Sequence, residues 1–288
     1  MEQINKHTLS QKVRGYRNKP FSFFLFLLVC LAAAATITVL VFLIGYILIK
    51  GVPYLSLDLF AWEYNSENVS MMPAIVNTVT MTAMSLLIAI PFGIGAAIYL
   101  VEYAKRGNKL VNIVRVTAET LSGIPSIVYG LFGFLLFVIY LGWGFSLLAG
   151  AFTLAIMILP LIMRTTEEAL LAVPDIYREG SFGLGAGKLR TVFRIVLPSA
   201  IPGILAGVIL GIGRITGETA ALIYTAGTVT GIPQDVLGSG RTLSIHMYAL
   251  LSEGLYTEQA HATAVVLLIL VIGINALSSA CAKRLTKV

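Results

Sequence analysis

Charge is scarce in this chain. Only 12% of its 288 residues are Asp, Glu, Lys or Arg, against about 25% in an ordinary soluble domain. A water-facing surface cannot be built from so few charges. The 57% hydrophobic content and mean hydropathy of +0.89 point to lipid instead. Cysteine is rarer still: Cys30 and Cys281 sit in separate apolar runs, and neither belongs to a metal-ligand spacing. His7, His246 and His261 are scattered, with no carboxylate or cysteine at ligand spacing. A metal centre or a hydrolytic triad is therefore not expected. Also missing is the G-x-x-x-x-G-K-[ST] loop that cradles nucleotide phosphates, so nucleotide hydrolysis is not expected of this chain. The net charge of +6 comes from Lys and Arg clustered outside the apolar runs. That pattern reflects membrane orientation and gives no reason to invoke nucleic acid.

What is present is a series of long apolar runs. Crossing about 30 Å of hydrocarbon takes about 20 apolar residues. Six runs qualify, over about Phe21–Ile49, Pro73–Leu100, Leu121–Leu141, Phe145–Met163, Ala200–Tyr224 and Ala262–Cys281. The first is too long for a secretory signal, whose apolar core is only about 7–15 residues. Pro91 and Pro160 mark expected kinks. The stretch VNIVRVTAET before the third run is amphipathic, suited to lie at the surface before turning inward. A short helix is expected near 242–252. Basic residues collect in the tail over 1–20, the 102–111 loop, the 164–198 loop and the tail over 283–288. The 51–71 segment carries Asp58, Glu63 and Glu67 with Trp62 and Tyr64. The positive-inside rule then puts both termini in the cytoplasm. The expected architecture is all-α and polytopic: a six-helix permease domain over 21–282.

The 164–198 loop carries a spaced pattern. Glu179-Gly180-Ser181 is followed after three residues by Gly185, and nine further on by Ile195-Val196-Leu197-Pro198. Small residues at 180 and 181 would let a short helix seat closely in a groove of a partner. Gly185 suits the left-handed turn that stops such a helix, and Pro198 suits the first turn of the next one. The pattern resembles the EAA loop of ABC importer permeases, although Gly180 and Ser181 replace its two alanines.

In the fifth run Gly203, Gly207 and Gly211 recur every four residues, a stripe that admits a neighbouring helix. On an unbroken helix, with Gly203 at zero, Gly207 and Gly211 fall at about 40° and 80°, and Arg214 and Glu218 at about 20° and 60°. The charged pair would thus continue the stripe and face protein. Each charge at that depth costs about 2.5–3.5 kcal/mol on insertion scales. Either the two neutralise each other, or Arg214 offers its planar donor fork to a tetrahedral oxyanion while Glu218 holds the fork and tempers its affinity.

The strings GRITGETAAL, LSGIPSIVYGLFG and LAIMILPLIMRTTEEALLAVP resemble the permeases of phosphate-specific ABC transporters, most closely the A-type subunit. The likeness is strong over about 70–225 and topological elsewhere. It implies a type I ABC importer permease fold and a role in phosphate passage for Arg214, Glu218 and Thr219, and for Arg164 too unless that residue is an interface anchor. It also implies that Glu179, Gly180, Ser181, Gly185, Ile195, Leu197 and Pro198 couple to an ATPase dimer, which binds the ATP and Mg. A homologous C-type permease, an extracytoplasmic phosphate-binding protein and a bacterial cytoplasmic membrane complete the implied setting. Glu119 reads as a surface residue, and Asn77 and Thr78 as interhelical contacts. Ser122, Ser126 and Tyr129 suit either a polar path or bonds to their own helix. The alternatives are the same machine moving sulfate, molybdate or phosphonate, or an ion-coupled secondary transporter.

Overall fold

The computed structural model describes residues 20–105 and 107–285, and all regular structure among them is helical. The basic tail expected over 1–20, apart from Pro20, lies outside the described residues, as do Arg106 and Lys287. The chain divides into two compact units, Met1–Lys50 and Gly51–Val288. The first holds α1 (Pro20–Gly51), apolar on every face. Its Thr36 and Thr38 hydroxyls donate to the carbonyls of Ala32 and Ala34 at 2.9 and 2.8 Å, as a helix without water requires.

In the second unit, two short 3₁₀ turns (Val52–Tyr54 and Leu57–Phe60) lead to α2 (Met72–Ile98), which runs on through a wide π turn at Tyr99–Tyr103. Then come α3 (Lys109–Ser122), α4 (Ser126–Gly133) with a π extension over Phe134–Tyr140, and α5 (Leu147–Leu171). The short α6 (Asp175–Gly183) and α7 (Lys188–Thr191) precede α8 (Leu197–Thr216). The stub α9 (Ala220–Ile223), then α10 (Leu243–Glu253) and α11 (Thr257–Leu285) close the chain. The most buried span is α5, packed by α2, α8, α4 and α3. Small residues make this possible. A Cβ on Gly93 of α2 would stand 2.8 Å from Ile162 of α5. Thr78, Thr82 and Ser85 return their hydroxyls to carbonyls one turn back, and the Thr78 oxygen also accepts from the Leu243 amide at the start of α10 at 2.8 Å.

Among the described residues five helices are long and apolar enough to cross a membrane, and six if the α3–α4 pair counts as one span. That pair bends by 103°. The expected third span starting at Leu121 therefore begins only at Ser126, and the amphipathic approach is the separate helix α3. Pro125 causes the break, since it removes a helical donor and drives the preceding residue out of helical geometry. Three other boundaries differ from expectation. The fourth span continues past Met163 to Leu171, so the loop expected from Arg164 starts as helix. The fifth begins early, as an unbroken rod over Lys188–Thr216. Pro198 thus lies inside a helix, and the π turn at Val192–Val196 just before it accommodates the missing donor. The same rod also stops early, at Thr216 instead of Tyr224. The helix expected near 242–252 is α10.

Candidate functional site: the end of α8 and the knob at its start

The glycine stripe of α8 faces α5. A Cβ on Gly203 would lie 2.6 Å from the Ala169 side chain, and one on Gly207 would collide with Thr165. Gly211 comes next along the same seam, with Ile158 at 3.8 Å. Close approach of α5 fixes the rotation of α8.

Beyond this seam the expected geometry changes. Among the described residues no ion pair joins Arg214 to Glu218. Their in-phase placement requires a helix through residue 218, and Gly217 interrupts it. Glu218 lies past the break, its amide bonding Ile215 O at 3.0 Å. Its carboxylate accepts from the Ala221 amide at 3.1 Å and so starts α9. The Glu218 carbonyl in turn accepts from the Ser244 hydroxyl of α10 at 2.6 Å. Mutual neutralisation is therefore not how this structure handles the two charges. Arg214 is half-buried in the last turn of α8, and its charge reaches the Tyr129 hydroxyl of α4. That hydroxyl donates to Leu121 O across the α3–α4 bend at 2.7 Å. Beside the neighbouring Gly213 stands Asn275 of α11, whose Oδ1 is buried without a partner. The Arg214 charge thus stands near a phenol and a helix break, while a carboxamide faces the adjoining Gly213. Thr219 is half-buried, its hydroxyl 3.5 Å from Gly217 O.

Arg164 stands elsewhere. Its side chain is 60% exposed and meets Glu168 at 3.2 Å and Glu119 of α3 at 3.8 Å. No contact joins it to Arg214. Next to it, Arg115 of α3 reaches the nearly buried Glu167 of α5 at 2.5 Å. These charges line a cavity of about 340 Å³ between α3 and α5. Ser122 bonds the Glu119 carbonyl at 2.8 Å, within its own helix.

At the start of the rod, α6 projects as a knob. Gly185 has φ +81, with its amide on Phe182 O and the Ala186 amide on Ser181 O, a two-bond stop that only a glycine makes without strain. Glu179 and Gly180 are exposed. Ser181 instead turns inward, 2.8 Å from the Thr191 hydroxyl. Ile195 and Leu197 are half-buried and Pro198 is exposed along the rod. Ile176, Tyr177, Phe182 and Leu184 stand out into solvent, Leu184 at 91% exposure. Spacing alone missed Arg178, whose nearly enclosed side chain on α6 pairs with Glu102.

A second buried cation occupies the opposite end of the unit. Arg241, 4% exposed, stacks 4.8 Å over the Tyr64 ring, and burial pushes its pKa down. Its Nε and Nη2 have no hydrogen-bond partner. The fully buried His246 meets the same ring edge-on at 6.2 Å. Burial and the Arg241 charge push its pKa down to about 3. Asn77 fixes this corner by donating to Gly231 O and Arg241 O at 3.1 and 3.2 Å.

Apolar spans packed on one central helix, a projecting short helix and an unpaired cation within a span fit a membrane transport subunit. The chain belongs to the family of binding-protein-dependent transport system inner membrane components, whose model matches residues 89–287. It is 35% identical to the probable ABC transporter permease protein YqgI of Bacillus subtilis, over 79% of this chain and 82% of that one. It is 36% identical to the phosphate transport system permease protein PstA of Mycobacterium leprae, over 72% of this chain and 68% of the relative. Among solved structures, a bacterial alginate ABC transporter matches with a TM-score of 0.69 at 17% identity, covering 98% of this chain and 99% of that one. That likeness establishes the shared fold.

Proposed function

We propose that this chain is the A-type permease subunit of an ATP-driven importer of inorganic phosphate in a bacterial cytoplasmic membrane, with both termini in the cytosol. On this reading it pairs with a homologous C-type permease. Two ATPase subunits, which bind the ATP and Mg, seat on the α6 knob. An extracytoplasmic phosphate-binding protein docks on the 51–71 and 225–258 surfaces. The relatives named as phosphate permeases support the substrate class, and the exposed apolar side chains of α6 support the docking.

One observation carries the reading: Arg214 sits at the end of a membrane span with no carboxylate in ion-pair range. An arginine there is costly unless something uses it, and its fork matches the oxygens of phosphate. Glu218, engaged in starting α9, holds the break that leaves the fork open. Motion of α6 would reach Arg214 through the buried Ser181–Thr191 contact and the rod that begins at Lys188. The test is reconstitution of the four-component complex in vesicles with labelled phosphate. ATP-dependent uptake, suppressed by excess unlabelled phosphate and not by sulfate, is the expected result. Suppression by sulfate or molybdate would assign another oxyanion. Uptake driven by a proton gradient with the ATPase absent would overturn the reading.

A further inference from the structure

Arg178 of α6 is almost enclosed, with a side-chain exposure of 14%, and each terminal nitrogen is engaged. Nε and Nη2 donate to one Glu102 oxygen at 3.1 and 2.7 Å, and the Glu102 side chain is only 8% exposed. Nη2 also donates to Leu170 O at 2.9 Å, and Nη1 to Val173 O at 2.8 Å and to Asp175 at 3.1 Å. One guanidinium therefore joins the knob to the Leu170 carbonyl of α5, to the Val173 carbonyl just past its end, and to the π turn that ends α2. These are charge-assisted bonds in a fixed planar fork, stronger and more directional than neutral hydrogen bonds. The next residue of α2, Tyr103, lies under the Lys188 ammonium at 5.1 Å, which ties the start of the rod to the same turn.

The covalent route from α6 to the rod is softer. It passes Gly183, Gly185 and Gly187, where an added Cβ would meet nothing within 4 Å. A load placed on the knob would dissipate in that linker if the backbone alone carried it.

We infer that Arg178 is a positioning residue that transmits motion of the knob sideways into α2 and α5 through Glu102, so that the central spans move with α6. This rests on the reading of α6 as the motor-docking element. The experiment uses the reconstituted complex carrying Arg178→Glu, Glu102→Arg, or both. Each single reversal should leave the motor bound and hydrolysing ATP while phosphate moved per ATP falls at least tenfold. The double reversal restores the pair but not the bonds to Leu170 O and Val173 O, so it should recover at least threefold over either single change without reaching the unmutated ratio. Glu102→Gln, which keeps the shape, serves if the reversed chains do not assemble, and should lower the ratio severalfold. A second readout needs no transported substrate. With Cys30 and Cys281 replaced by serine, maleimide labelling of Lys105→Cys at the end of α2 should change rate on adding ATP and vanadate. That change should vanish with Arg178→Glu. Wild-type coupling in the single reversals, or an ATP-dependent labelling change that survives them, overturns the inference. Failure of the phosphate reading would show differently, as no phosphate uptake by the unmutated complex with the labelling change intact.

Discussion

Three arginines that bridge elements on the α6 side of the unit contrast with two that lie deeper in it, Arg214 and Arg241. Arg178, Arg115 and Arg164 each meet a carboxylate within ion-pair range. Arg214 and Arg241 meet none among the described residues. The first group crosses between elements: Glu102 ends α2 while Arg178 lies on α6, and Arg115 on α3 reaches Glu167 on α5. These charges are cancelled where they stand and hold the frame. The second group is held by geometry, with Arg241 under an aromatic face and Arg214 at a helix break. Of the two, Arg241 is buried and Arg214 half-buried, so an unpaired cation that solvent can reach is found only at Arg214.

The largest expected effect comes from the packing that orients α8. Gly207→Val drives a branched side chain into Thr165 of the most buried span. It should cost about 3 kcal/mol, read as a lower melting temperature and poor assembly in detergent. Unchanged melting would remove the close approach of α5 and with it the placement of Arg214.

The His246 corner sharpens the comparison through pH. Its folded pKa is about 3 against an ordinary 6.5. Between those values the unfolded chain takes up a proton that the folded chain refuses, so stability falls as pH drops below 6.5. At pH 5 the loss should be about 2 kcal/mol. Melting at pH 7 and pH 5 should show it, and His246→Phe should flatten that dependence. A dependence identical in the variant would mean that His246 titrates in water.

Within the paired group, burial should set the order. Arg115→Ala strands the Glu167 carboxylate, whose side chain is only 11% exposed, and should cost about 1–2 kcal/mol. Arg164→Ala removes an exposed pair and should cost less than about 1 kcal/mol. Equal losses in chemical denaturation would show that exposure is not what ranks these contacts.

Apolar length alone located the long spans, and Gly203, Gly207 and Gly211 announced the seam with α5 before its partner was known. Gly185 announced the stop of α6 just as plainly. The pairing of Arg214 with Glu218 failed because counting 100° per residue presumes a helix, and Gly217 ends it. Pro125 carried the corresponding warning for the third span. The Arg178–Glu102 link spans 76 residues of sequence, and no period along one helix pairs residues on two. The inward turn of Ser181 was hidden for the same reason, since its partner Thr191 belongs to the rod.

The role given to the open guanidinium is tested most directly by Arg214→Gln in the reconstituted complex, with ATP-driven phosphate uptake measured beside Arg115→Gln. The account predicts that the assembled Arg214 variant loses uptake by at least a hundredfold, while the Arg115 variant keeps most of it. Normal uptake without the Arg214 charge would contradict it.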